Sequence, residues 1–408
     1  MGRYIREIAG LGAVLAVVVG LWTATAAPAP IKLGASLSLT GPYAVPAQNQ
    51  HRGYQLCVKH VNEQGGVLGR QITLILLDDQ SQPATAVRLY EQLISRDRVE
   101  ALLGPYSSPI TDAVADVSEQ YKMPMVAPIA ATTSIYKKGR RFVFMLESPA
   151  EVYLEGLITL AAKEGLKTVA LIYEDTLFPR ATVQGTIELA KKQGLQVVFV
   201  EAYPKGTTDF SALLTRVRAA NPDVLGVPTY FDDAVAITRQ MRGLDVHPKM
   251  YGATVGVNLP RFYELLGRNA EFVYGASQWE PELVALRAGG LIPLARQYPG
   301  AKEFVESYAQ EFPGADLSYH SAAGYAGCQI LTEAIKRAGT LDGEKVGEAI
   351  RQMDRHTVFG AFQVDAGGFQ IAHKMLTFQW QDGKKVIVWP EELATVKPRV
   401  PMPPWSQR

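Results

Sequence analysis

Two hydroxyl residues stand where this chain could hold a small molecule. Ser108 closes the segment Glu100-Ala-Leu-Leu-Gly-Pro-Tyr-Ser-Ser, and Thr132 closes Met123-Pro-Met-Val-Ala-Pro-Ile-Ala-Ala-Thr. Each segment reads as an apolar strand running into a loop of small residues, and a helical stretch joins them. Consecutive parallel strands that both end in Ser/Thr-rich loops gather hydroxyls and backbone N–H groups at one sheet edge. Open α/β sheets take their ligands at that edge, outside the carboxyl ends of the strands. These loops contain no strong acid, base or metal ligand, so the chemistry they suit is binding and not conversion.

Signatures of catalysis are missing elsewhere too. The chain has no G-x-x-x-x-G-K-[ST] phosphate loop and no G-x-S-x-G nucleophile elbow. Gly65, Gly66 and Gly69 follow a helical stretch instead of opening one, and so read as a turn. Asp78-Asp79 could be imagined as a catalytic or metal pair, but strand-end carboxylates more simply cap the next helix and meet its dipole. Asp232-Asp233 has the same two readings, with its place at a cleft strand end keeping Asp232 a candidate for ligand binding. The six histidines are scattered without an H-E-x-x-H pair, and no metal or cofactor is expected. Cys57 and Cys328 both lie in apolar helical patterns; they read as two buried thiols or, in an oxidising compartment, as one long-range disulfide.

Tyr43, Tyr106, Phe178, Tyr230 and Trp279 all fall just after expected strands. Aromatic side chains in such loops supply flat apolar walls and an occasional hydroxyl donor, as small-molecule pockets require.

The elements that must position these residues repeat one theme twice. Strands are expected at 31–39, 71–77, 99–104 and 124–128, with helices at 48–63, 83–97 and 109–121 between them. The pattern restarts after Ser148-Pro149, with strands at 168–173, 195–200, 223–228 and 249–254 and helices at 153–164, 180–193, 209–220 and 232–243. Apolar strands alternating with amphipathic helices imply parallel sheets covered on both faces. The fold class is therefore α/β, as two doubly wound lobes joined by a hinge that the chain crosses several times. Residues 28–147 and 278–357 are assigned to the N-terminal lobe, 148–277 and 358–395 to the C-terminal lobe. In the latter, Asp382-Gly383 between two alternating apolar runs signals a hairpin. Residues 396–408 read as a loose, Pro-rich tail. Lobes so joined close on a ligand by hinge motion.

At the start, Arg3 and Arg6 precede an apolar run from Ile8 to Trp22, followed by Ala24-Thr-Ala26-Ala27-Pro28. A basic start, a short apolar core and an A-x-A site describe a signal peptide over 1–27, and hence export to the periplasm. No cysteine follows that would anchor a lipid. The 41 basic and 40 acidic residues become equal in number once Arg3, Arg6 and Glu7 are removed. A neutral exported protein has no field to draw nucleic acid or an anionic membrane.

The ordered motifs Leu33-Gly-Ala-Ser-Leu-Ser-Leu-Thr40-Gly-Pro42, Asn62-Glu-Gln-Gly65-Gly66-Val-Leu-Gly69, Asp78-Asp79-Gln, Leu103-Gly-Pro-Tyr-Ser107-Ser108, Ala127-Pro-Ile-Ala-Ala-Thr132 and Asp209-Phe-Ser211 carry a resemblance. Together they make the chain, from about 30 to 395, similar to the periplasmic solute-binding proteins of the branched-chain amino-acid ABC transporter family, which have the type I periplasmic-binding fold. The resemblance implies a receptor that docks on transporter permease subunits; a monomer is expected, with the oligomeric state left open by the sequence. It also implies that Ser108, Ala130 or Ala131, and Thr132 capture a ligand carboxylate, with Phe178 and Tyr230 facing them from the second lobe. Members that bind α-amino acids hold the ammonium with a carboxylate near position 254, where this chain has Thr254. A desolvated ammonium without an acid costs several kcal/mol, so the expected ligand is an organic carboxylate, plausibly aromatic. Branched-chain or other amino acids and amides come second, with Asp232 or Asp233 as the substitute acid. A sensory module for a chemoreceptor or kinase is a further alternative on the same fold.

Overall fold

The computed structural model describes residues 28–284 and 297–408. The leader expected over 1–27 lies outside them. No helix among the described residues is long and apolar enough to cross a membrane.

The first lobe is built on β1 (Ile31–Leu37), α1 (Ala44–Glu63), β2 (Ile72–Asp78), α2 (Pro83–Ser95), β3 (Ala101–Leu103), α3 (Ser108–Gln120), β4 (Met125–Ala127), α4 (Thr133–Tyr136) and β5 (Val143–Met145). Its five strands are parallel, in the order β2-β1-β3-β4-β5. Ile31, Leu33, Ala35 and Leu37 of β1 are fully buried, as a central strand covered by helices on both faces requires. Pro83 and Pro109 sit in the first turns of α2 and α3, where a missing N–H costs nothing.

The second lobe repeats the plan with α5 (Glu155–Lys163), β6 (Thr168–Glu174), α6 (Leu177–Lys192), β7 (Gln196–Tyr203), α7 (Ser211–Ala220), β8 (Val224–Val227), α8 (Phe231–Gly243), β9 (Met250–Ala253), α9 (Pro260–Leu266) and β10 (Tyr274–Ser277). The chain then returns to the first lobe with α10 (Ala301–Glu311), α11 (Tyr319–Ala338), α12 (Gly343–Arg351) and the hairpin β11 (Asp354–Thr357) and β12 (Gly360–Gln363). Phe304, Ile330, Val346 and Phe362 from these elements join the first-lobe core. A last crossing brings β13 (Leu376–Gln381) and β14 (Lys384–Trp389) to the second sheet, whose order is β14-β13-β10-β9-β8-β6-β7. Only β13 and β14 run antiparallel to their neighbours there. Asp382 and Gly383 between them both have positive φ, 52° and 78°, as a two-residue type I′ turn demands.

In each lobe the strand order reverses once, between β1 and β3 in the first and between β6 and β8 in the second. Neighbouring connections leave the sheet in opposite directions at such a point and open a crevice.

Several local expectations are corrected. Asp78 and Asp79 do not cap α2. Asp79 accepts hydrogen bonds from Ser36 Oγ (2.9 Å) and Ser38 Oγ (2.7 Å), and Asp78 from Thr40 Oγ1 (2.7 Å). Both carboxylates therefore fasten the β1–α1 loop to the end of β2. The cysteines are joined, with Cys57 of α1 and Cys328 of α11 forming a disulfide. One turn before each cysteine is a glycine that lets the helices close: a Cβ on Gly53 would lie 2.1 Å from the Ser321 carbonyl oxygen, and one on Gly324 2.4 Å from that of Gln50. The tail is not loose. Met402 and Trp405 are buried against the second lobe, and Trp405 Nε1 donates to the Val246 carbonyl (2.9 Å).

Candidate ligand-binding site

The two strand-order reversals face each other across the cleft. From the first lobe come Tyr43, just before α1, and Tyr106-Ser107-Ser108, between β3 and α3. From the second come Phe178, in the first turn of α6, and Tyr230, just before α8. Their rings pack in one cluster: Tyr43 lies 5.8 Å from Tyr106 and 4.6 Å from Tyr230, and Phe178 lies 5.9 Å from Tyr230 and 4.9 Å from Tyr153. The Tyr43–Tyr230 contact joins the lobes directly.

Under this cluster is a cavity that its own side chains nearly fill, about 10 Å³, room for roughly one water and far below the roughly 300–1,000 Å³ of ligand pockets. Tyr106, Ser107, Ser108, Ala131 and Glu147 line it from the first lobe, and Phe178, Tyr230 and Val255 from the second. Ser107 holds φ at +84°, a strained conformation that costs roughly 1–3 kcal/mol and is characteristic of ligand sites. Ser108 Oγ accepts from the Thr132 N–H (3.2 Å), which ties the two hydroxyl-bearing loops together. Among the described residues, Ser107 Oγ and Thr132 Oγ1 are buried without a hydrogen-bond partner, while the Tyr43 and Tyr230 hydroxyls have only each other. Native interiors rarely tolerate orphaned groups, and these gather in and around one cavity.

The sequence did not single out Glu147. It follows β5, a three-residue strand, and is 1 % exposed. Tyr153 Oη donates to its Oε1 (3.2 Å), and the Ala130 backbone supports it. Burial pushes its carboxyl well above the ordinary value, against those two hydrogen bonds. The rule that picked out Ser108 and Thr132 applies equally to Phe142-Val-Phe-Met-Leu146, an apolar run ending in Glu147-Ser-Pro. The two loops that the sequence singled out hold no acid, and this third strand-end loop does.

Other sequence candidates lie elsewhere. Ala130 is buried behind the cavity, its carbonyl accepting from Tyr136 Oη (2.8 Å). Thr254 does not face the cleft: its Oγ1 donates to the Thr229 carbonyl (2.8 Å) and accepts from the Thr229 N–H (3.0 Å), joining the ends of β8 and β9. Trp279 packs on Phe304 in the first-lobe core, fully buried and away from the cavity. Asp232 is exposed, and the α8 carboxylates are first-turn residues with no capping hydrogen bond at Tyr230. Asp233 turns inward instead, accepting from Thr229 Oγ1 (3.2 Å) and lying within proton-sharing reach of buried Glu174. Lys205 Nζ lies 4.4 Å from the Tyr43 ring centre and 3.5 Å from the Ser81 carbonyl, reaching from the second lobe to the first.

A wider groove of about 300 Å³ beside Pro390 and Glu392 lacks these features. Its His373 already donates to the Gln278 carbonyl (3.0 Å).

Comparison with known proteins bears on the family and the fold. A family model described as periplasmic binding protein matches residues 30–385. A Leu/Ile/Val-binding protein homolog 7 of Brucella melitensis is 27% identical, covering 95% of this chain and 98% of its own. The leucine-binding protein LivK of Thermotoga maritima superposes with a TM-score of 0.78 at 26% identity, over 88% of this chain and 97% of its own. A Streptococcus pneumoniae LivJ, solved in complex with isoleucine, has a TM-score of 0.76 over 87% and 97%. At 22% identity, that last likeness speaks for the fold alone.

Proposed function

A chain matched over 30–385 belongs to the periplasmic binding protein family, and from that premise we propose that it is the extracytoplasmic receptor of an ABC importer, capturing a small carboxylate-bearing solute between its lobes. The observation that carries this reading is the cavity at the two facing strand-order reversals, with the Ser107 and Thr132 hydroxyls buried and unpartnered around it. Uncharged donors and the first turn of α3 can satisfy a carboxylate without a buried counter-ion. In this reading Ser108, Ala131 and Thr132 hold the anion, and Tyr106, Phe178 and Tyr230 wall the remainder, with Tyr43 closing over them. The closed receptor then presents both lobes to membrane permease subunits.

Two solute classes meet these requirements. An aromatic or other organic acid suits the aromatic walls. A small amino acid is what the relatives' names carry, and a wall of tyrosines and phenylalanine suits an aliphatic side chain equally well. A thermal-shift screen of the mature protein against amino acids, amides, and aromatic and aliphatic acids tests the reading, because a ligand of the folded state raises the melting temperature with saturation. Stabilisation by any small carboxylate supports the receptor role. A flat response across the whole panel refutes it.

A further inference from the structure

Glu147 is the one acid that lines the cavity, and nothing in the surrounding fold neutralises it. The groups acting on it are the Tyr153 hydroxyl and the Ala130 backbone, neither of them a cation. The aromatic shell behind these, Tyr106, Tyr136 and Tyr319, carries no charge at neutral pH. His320, which packs on Tyr319 and Tyr106, is itself buried and pushed down to about 3, and so stays neutral. A carboxylate buried in such surroundings is costly unless a cation reaches it. Among the described residues that act on it none is a cation, and Glu147 is open to the cavity that it lines.

We infer that Glu147, which lines the cavity from the first lobe, receives the ammonium of an α-amino-acid ligand. The inference rests on the receptor reading above. It sharpens that reading, because the same loop serves both charges: Ala130 supports Glu147, while Thr132 donates to Ser108 two residues later. Glu147 and Ser108 line the same cavity, so one small ligand can present an ammonium to the first and a carboxylate to the second. An organic acid without an ammonium would bring a second negative charge against Glu147, and could enter only if Glu147 kept its proton.

Calorimetry with matched pairs tests this: L-leucine against 4-methylpentanoate, and L-phenylalanine against 3-phenylpropanoate, on the wild type and on Glu147→Gln. The expected result is that an amino acid binds the wild type while its deamino partner binds at least tenfold more weakly. Glu147→Gln should then weaken the amino acid roughly 30-fold or more, the usual consequence of removing one member of a buried charge pair. Equal binding of the two members of a pair overturns the inference, as does an unchanged amino-acid affinity in a folded Glu147→Gln. The pairwise comparison on the wild type decides the matter if that variant fails to fold. Binding of the deamino acids alone sinks the role of Glu147 and leaves the receptor standing. Silence from all four probes and from the wider panel of acids and amino acids sinks both.

Discussion

Replacing Glu174 with glutamine should make the protein more stable in alkali. Glu174 ends β6, 4 % exposed, with Thr176 Oγ1 donating to its Oε1 (2.8 Å) and the Asp233 carboxyl beside it. Burial first, and then the charge of Asp233, push Glu174 from 4.5 up to about 7. Between those values the folded chain keeps a proton that the unfolded chain has released, so stability falls as the pH rises through that window. At 1.36 kcal/mol for each tenfold change in proton affinity, the loss reaches roughly 3 kcal/mol once the pH is well above 7. Lys205 offsets part of the cost, since its charge favours the ionised form. In Glu174→Gln the amide donates to Asp233 where the shared proton stood, and the titration disappears. Urea denaturation of both proteins at pH 5, 7 and 8.5 reads the difference directly. The two should be close at pH 5, and the variant should gain up to about 3 kcal/mol on the wild type by pH 8.5. A difference that does not change with pH, or that runs the other way, refutes the account of this pair.

Ser108→Ala removes a hydroxyl placed for a charge-assisted hydrogen bond worth about 1.5–3 kcal/mol, so calorimetry should show the affinity for a bound carboxylate falling roughly 10- to 150-fold. Lys205→Met breaks the cation–π contact with Tyr43 and the reach to Ser81; with an interaction of about 0.5–1 kcal/mol lost, stopped-flow should show ligand release two- to fivefold faster. Cys57→Ser with Cys328→Ser opens a loop spanning 271 residues. Chain entropy alone puts the cost at about 5–6 kcal/mol, and urea unfolding with and without reductant should show most of that loss in the wild type and none in the double variant.

The framework was legible because its signals are local. Apolar runs such as Thr168–Tyr173, the proline at the start of α2 and the Asp382-Gly383 turn each declare an element within a few residues. The site was legible as far as one rule reached: loops after long apolar strands gave Tyr106, Ser108, Phe178 and Tyr230, and the cavity brings these together. What failed was orientation and partnership. Trp279 and Thr254 also follow strands, but one turns into the first-lobe core and the other is used up between two strand ends. Sequence adjacency could not separate Asp232 from Asp233, because which of them faces Thr229 depends on how α8 is set on the sheet. Glu147 was within reach of the same rule, since β5 is no shorter than β3 or β4, but its loop was not among those singled out. The disulfide could not be deduced either, since the nearness of Cys57 and Cys328 depends on the chain returning to the first lobe after the second is built.

That return also sets the order in which the molecule can assemble. The five parallel strands of the second lobe and their helices lie within one uninterrupted stretch, 168–277, and can condense as soon as it has emerged. The first lobe cannot. α1 packs on α11, more than 250 residues downstream, so the face of α1 around Gly53 and Cys57 has no cover until the chain has passed through the whole of the other lobe. Closing contacts so distant in sequence is slow, and an apolar helix left uncovered meanwhile is a surface on which partly folded chains associate. The first lobe, which begins first, is therefore finished last. Refolding should proceed in two phases, the slower one set by the docking of α11 on α1, with crowding or high concentration diverting chains caught between them.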